Sequence, residues 1–219
     1  MSVKVGECRC KRGRGWRARR GISSGSFLLI VLAAATVWPL APSRAQDSAS
    51  AAAAWRALAG DGAVALVRHA KAPGPSPDPP GARLEDCATQ RNLSPEGRAQ
   101  AARLGALWRE KRVKAGKVLS SPWCRCIDTA RLMGLGEPAI DHALYNLLAN
   151  PPDRGAKIAQ LQDMLRGWQG PGTLVLVTHG ITMRAAVGID PGEGGIVVVV
   201  PNPAARPGYL VVGTIPPPA

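Results

Sequence analysis

Three short segments set groups suited to phosphate chemistry directly behind apolar runs. Arg68-His69 follows Ala63-Val64-Ala65-Leu66-Val67, Ser120-Ser121-Pro122-Trp123-Cys124-Arg125 follows Lys117-Val118-Leu119, and Thr178-His179-Gly180 ends the run that starts at Thr173. Histidine attacks phosphorus through an unprotonated ring nitrogen, and nearby arginine charges lower its pKa in the direction that supplies one. His69 is therefore the candidate covalent nucleophile. Arg68 and Arg125 carry planar donor forks that match phosphoryl oxygens. His179 is placed to donate hydrogen bonds to those oxygens and to stabilise transition-state charge, and the first N–H groups of a helix after Pro122 would add to the site. Each piece alone has an ordinary explanation, a hydrogen-bonded histidine or a surface ion pair. Three such placements behind three strands point to one anion site.

The elements that must position these groups are legible from patterning. Residues 49–59 are Ala-rich with Trp55 and Leu58 and read as a short helix before the Asp61-Gly62 turn. Residues 73–81 are dominated by Pro and Gly and read as a surface loop or flap. Ser94-Pro95 supplies a cap and a first helical residue, and Ala99, Ala102, Leu104, Leu107 and Trp108 continue a helical apolar face. Helices are further expected at 123–133, 153–168 and 181–187, and strands at 117–119, 173–177, 196–200 and 209–212, with a short extended stretch within 137–142. Strands alternating with helices imply an α/β three-layer sandwich with a mainly parallel central sheet flanked by helices. In such sheets ligands sit beyond the carboxyl ends of the strands, where all three segments fall.

The formal charge of the 219-residue chain is +13, but its basic excess is concentrated at the start. Residues 1–45 read as an export signal: a Lys/Arg-rich stretch, a twelve-residue apolar run at 27–38 interrupted by Pro39, and Ser43-Arg44-Ala45 before a cut that would leave Gln46 first. A membrane span needs roughly 20 apolar residues, so no stable span is expected in the mature chain. Arg19-Arg20 invites a twin-arginine reading, but the residues after it lack the rest of that pattern, which favours ordinary secretion. Residues 46–219 then form one domain with nineteen basic and fourteen acidic residues, a balance of +5 that suits a small anionic substrate and not a nucleic acid. Periplasmic or secreted localisation follows as the expectation. In an oxidising compartment Cys87 can pair with either Cys124 or Cys126, leaving one thiol. A zinc site using His142 is disfavoured by the Cys-x-Cys spacing.

These residues resemble the histidine phosphatase superfamily, the phosphoglycerate-mutase-like fold. Arg68-His69 is similar to the family's opening Arg-His, Arg125 with Thr129-Ala130 to its second arginine motif, Thr178-His179-Gly180 to its late histidine, and residues 92–99 to its first-helix opening. The resemblance covers about residues 63–200. It implies a phosphohistidine formed on His69 and hydrolysed by water, a phosphate pocket of Arg68, Arg125 and His179, and no metal or organic cofactor. The departure is at the general acid: Asn146 stands where the mutase-like branch commonly has a glutamate, and Gly180 stands where the acid branch has an aspartate after the histidine. Glu193 is the candidate substitute acid, with Glu85 and Asp86 as further candidates. A site without a proton donor favours substrates with good leaving groups. The reading is thus an exported phosphomonoesterase acting on a small phosphorylated substrate, with an envelope sugar phosphate as the expected kind. The alternative is an anion-binding protein on the same fold.

Overall fold

A computed structural model describes residues 43–74, 76–149 and 151–218. The basic and apolar parts of the expected export signal lie outside the described residues. The first helix, α1 (Ser43–Leu58), starts three residues ahead of the expected cut and runs through the Ala-rich segment.

Among the described residues, six strands form one sheet: β1 (Val64–Arg68), β2 (Ala115–Ser120), β3 (Ala139–Ile140), β4 (Thr173–Thr178), β5 (Ile196–Pro201) and β6 (Tyr209–Ile215), in the spatial order β3-β2-β4-β1-β5-β6. The first four in that order pair in parallel, whereas β5 runs antiparallel to β1 and β6 antiparallel to β5. The sheet is therefore mixed, with a parallel part and an antiparallel edge.

Period-two alternation divides the core into two layers. Ala65 and Val67 of β1, Val175 and Val177 of β4, and Ile196 and Val198 of β5 pack with Ala54 and Leu58 of α1. The same layer takes Leu104 and Trp108 of α2 (Pro95–Glu110) and Ala130 and Met133 of α3 (Cys124–Met133). The intervening residues Val64, Leu66, Leu174, Leu176, Val197 and Val199 face Leu161 and Leu165 of α4 (Arg154–Gly167) and Met183 of α5 (Gly180–Val187). Strands buried on both faces read as continuous apolar runs, as Val64–Val67 and Leu174–Val177 do. The three-layer sandwich with its flanking helices is the fold that the patterning implies.

Helix starts aim the site. The Ser94 side chain accepts from the Gly97 N–H at 3.0 Å, a cap worth about 1 kcal/mol. Gly97 is required by proximity: a Cβ there would lie 2.0 Å from the Lys71 carbonyl oxygen, so α2 packs directly on the chain leaving His69. The Thr129 hydroxyl accepts from the Ala70 N–H at 3.0 Å and donates to the Arg125 carbonyl at 2.6 Å. That single side chain ties the segment after His69 to the turn of α3 that carries Arg125, which gives the Thr129-Ala130 motif its physical role.

The cysteine pairing left open by the sequence is resolved as Cys87–Cys124, with Cys126 buried as a free thiol. Burial pushes the Cys126 thiol up to about 12, so it stays protonated and unreactive at neutral pH. No group of side chains able to hold a metal ion is found among the described residues.

Candidate active site

β1, β2 and β4 are neighbours and parallel, so their carboxyl ends open on one crevice. There a cavity of about 180 Å³ is lined by Arg68, His69, Arg91, Arg125, Asn146 and His179, together with Asp190 and other residues of the rim. The structure thus brings together His69, His179, Arg68 and Arg125, the four core residues the sequence singled out.

His69 is buried, and its backbone N–H continues the β1–β4 ladder by donating to the Thr178 carbonyl at 3.0 Å. Its Nδ1 lies 2.9 Å from the Ala70 carbonyl oxygen. A carbonyl only accepts, so Nδ1 carries the proton and Nε2 keeps the lone pair in the neutral ring. Burial foremost, then the charges of Arg125, Arg68 and Arg91, lower the His69 pKa to about 3 against the opposing hydrogen bond to Ala70. The ring is neutral across the physiological range and presents a nucleophilic nitrogen without an external base.

His179 packs edge-on to His69 with ring centroids 5.4 Å apart. Its Nε2 lies 2.9 Å from the Ser121 hydroxyl and its Nδ1 3.4 Å from an Arg125 nitrogen. The guanidinium can only donate, so in the neutral ring Nδ1 accepts and Nε2–H donates to Ser121. Burial, then Arg125, hold its pKa well below the usual histidine value. A bound phosphate dianion would favour a proton on this ring, which would then donate. Cys126, Ser121 and Arg125 fix the ring from three sides.

The guanidinium groups define the anion site. Arg125 is 1% exposed. The Nε atoms of Arg68, Arg91 and Arg125 are all buried without a hydrogen-bond partner. Unmet buried donors are costly, and three on cations around one cavity mark a place for an anion. Arg91 was not foreseen; it stands just ahead of the Asn92-Leu93-Ser94-Pro95 helix opening, and its Nη1 donates to the Ala72 carbonyl at 2.6 Å.

The helix N–H groups after Pro122 do not join the site as expected at its first position: the Cys124 N–H donates to Gln90 Oε1 at 2.9 Å, so a side chain already occupies it.

Carboxylates approach from loops. Asp190 was missed by the sequence reading. It binds Arg68 Nη1 through both oxygens at 2.9 and 3.1 Å and Arg184 at 3.1 Å. Gly180 is explained by it, since a Cβ at 180 would lie 2.3 Å from an Asp190 oxygen. The aspartate absent after His179 in sequence is thus replaced in space by a carboxylate ten positions later. Glu193 stands at the rim, 25% exposed, with an oxygen 3.6 Å from Arg68 and 3.7 Å from Arg91. Glu85 is exposed, and Asp86 caps the short 3-10 turn Cys87–Thr89 and pairs with Arg83 at 2.7 Å; neither lines the cavity. Asn146 does line it, buried, with its Oδ1 accepting from the Leu148 N–H at 3.1 Å.

Two histidines and the arginines Arg68, Arg91 and Arg125 thus gather in the crevice beyond the carboxyl ends of the parallel strands, an arrangement suited to binding a phosphate. The model of the histidine phosphatase superfamily, branch 1, matches residues 64–146. Two solved structures share the fold. One is assigned as the phosphohistidine phosphatase SixA of Agrobacterium tumefaciens, at 22% identity and a TM-score of 0.51, covering 72% of this chain and 99% of that one. The other is the protein histidine phosphatase SixA complexed with tungstate, at 17% identity and a TM-score of 0.54, covering 71% and 97%. Compared by sequence, no curated protein matches the chain. Residues 64–146 therefore match the model of a superfamily whose chemistry is that of a phosphatase with a histidine nucleophile, and the solved structures share the fold.

Proposed function

We propose that the chain is an exported phosphomonoesterase that forms its phosphohistidine on His69. The observation that carries this is the His69 ring itself. Its Nδ1–H is committed to the Ala70 carbonyl, and it stands neutral in a cavity where three of the four lining arginines, Arg68, Arg91 and Arg125, keep an unmet Nε–H. The Nε2 lone pair attacks phosphorus, the bond from phosphorus to the leaving oxygen breaks, and that oxygen departs with the electron pair and takes a proton. Water then attacks the phosphorus, the P–N bond returns its electrons to Nε2, and inorganic phosphate leaves. Arg68, Arg125 and His179 hold the equatorial oxygens throughout.

Among the described residues, the only carboxylate lining the cavity is Asp190, and it is engaged by two arginines. Glu193 at the rim is the proposed proton donor for esters. Substrates that leave without help, such as acyl phosphates, phosphohistidine or phosphoric anhydrides, would react fastest, in keeping with the phosphohistidine phosphatases among its structural neighbours. The amino-terminal signal pattern and the Cys87–Cys124 disulfide support a periplasmic or secreted setting, where an envelope sugar phosphate is the candidate substrate. No helix among the described residues is long and apolar enough to cross a membrane.

Hydrolysis of an activated aryl phosphate by residues 46–219 tests this reading against His69→Ala. The expected result is a loss of about a thousandfold or more in the variant, as for a deleted nucleophile. A folded protein that binds phosphate without turnover would instead identify an anion-binding module, the reading that Asn146 at the usual acid position favours.

A further inference from the structure

The Pro-rich segment after His69 has no chemistry of its own in the scheme above, yet it delivers the most buried carboxylate at the site. Asp78 is 6% exposed at its side chain and grips Arg125 end-on, with Oδ1 2.7 Å from Nη1 and Oδ2 3.0 Å from Nη2. Its Oδ1 also accepts from the Arg91 backbone N–H at 3.0 Å. Asp78 is not among the residues lining the phosphate cavity, whereas Arg125 is. The carboxylate therefore meets the guanidinium from outside that cavity. A guanidinium held at its two terminal nitrogens retains its other fork, the Nε–H and the remaining Nη2 hydrogen. On Arg125 that edge carries the buried, unpartnered Nε, while its Nη2 hydrogen rests on His179 Nδ1 at 3.4 Å and is freed for an anion when that ring takes a proton.

The far end of the segment is fixed to the same helix turn. Cys87 is bonded to Cys124, the residue before Arg125, and Gln90 accepts from the Cys124 N–H at 2.9 Å. Arg91 closes the segment by donating to the Ala72 carbonyl at 2.6 Å.

We propose that Asp78 is a positioning residue of the phosphate site, turning the side-on fork of Arg125 toward the substrate, and that the Cys87–Cys124 disulfide keeps Asp78 in that place. The inference rests on the phosphatase reading but needs only anion binding for its test. Charge alone predicts the opposite sign, since removing an anion beside the pocket would strengthen phosphate binding. Positioning predicts that the aligned fork is lost and binding weakens.

The experiment measures inorganic phosphate and tungstate binding by calorimetry, with aryl phosphate kinetics and melting temperature alongside, for the unmodified chain, Asp78→Asn and Cys87→Ser/Cys124→Ser. Asp78→Asn keeps the shape and one acceptor oxygen, which guards against failure to fold. The expected result is anion affinity and kcat/KM reduced together by about tenfold or more, as for lost outer partners of ligating groups. The disulfide variant should lose less in the same direction and add little on top of Asp78→Asn, because both act on one placement. Unchanged or tighter anion binding in a folded Asp78→Asn protein overturns the assignment of Asp78, and full additivity overturns the link to the disulfide. If the unmodified chain binds anion without turnover, the phosphatase reading fails while the binding measurements still judge Asp78.

Discussion

Two sets of charged groups meet at the crevice by different routes. Arg68, His69 and His179 sit at or just after the carboxyl ends of parallel strands, and Arg125 stands on the first turn of the helix that follows β2. Asp78, Asp190 and Glu193 arrive on loops, the last two on the segment that leads into β5. Because β5 is antiparallel to β1, its beginning lies at the same edge as the end of β1, which is how residues about 120 positions apart come within 3 Å. The strand-borne groups are fixed by ladder bonds such as His69 N–H to Thr178 C=O and Ser121 N–H to Val177 C=O. The loop-borne carboxylates are held chiefly by the cations they serve. The groups proposed to meet the reacting atom thus stand at strand ends or on the helix start that follows one, and the carboxylates that pair with the cations come from outside the sheet.

Removing a strand- or helix-anchored cation should therefore cost the most. Arg125→Ala should lower kcat/KM for an aryl phosphate by about 10²–10³, the loss typical of one oxyanion donor. It also takes from buried Asp78 its ion-pair partner, leaving the Arg91 backbone N–H as its donor, so the melting temperature should fall, a broken buried pair costing about 3–5 kcal/mol. Unaltered kinetics in the folded variant would take Arg125 out of the site and collapse the distinction between the two sets.

The second contrast is in proton binding. The folded chain holds His69 neutral down to about pH 3, whereas the unfolded chain protonates it near 6.5, so unfolding takes up a proton between these values. Stability therefore rises with pH across that window and is lost as pH falls from about 6.5; His179, shifted the same way, adds to the slope. The urea midpoint should decline from pH 7 to pH 5, a range where ordinary carboxylates stay ionised, and His69→Asn should flatten the decline. An equal slope in His69→Asn would mean that burial does not set the state of the nucleophile.

The same division explains what the sequence could reveal. Arg68-His69 and Thr178-His179 were legible because an apolar run followed by a charged or ring side chain is a local pattern, and sheet geometry then puts such ends together. The alternation of apolar strands such as residues 63–67 with helical segments likewise made the sandwich readable. Asp190 carries no local mark: its partner Arg68 is remote, and only the antiparallel entry of β5 joins them. In sequence Gly180 marks only the lack of an aspartate after His179, and packing shows it as the space that lets Asp190 in. Asp78 was hidden in a stretch whose composition signals only a loop, and a loop's destination is set by its anchors, here a disulfide that local spacing leaves ambiguous between Cys124 and Cys126.

The smallest expected effect bears on whether any loop carboxylate crosses from alignment into chemistry. Glu193 touches both Arg68 and Arg91 at 3.6 and 3.7 Å and is a quarter exposed, so it has solvent on one side and the cations of the site on the other. A donor at the rim is in reach of a leaving group that projects outward from the cavity, if the phosphoryl group sits deeper among the arginines as proposed. If Glu193 supplies the proton, Glu193→Gln should slow alkyl and sugar phosphates by roughly ten- to a hundredfold, within the range of general acid catalysis, and leave aryl phosphates nearly untouched because their leaving groups need no proton. Equal slowing of both classes would instead show Glu193 acting through Arg68 and Arg91, and would place it with Asp78 and Asp190 among the groups that only hold the cations in line.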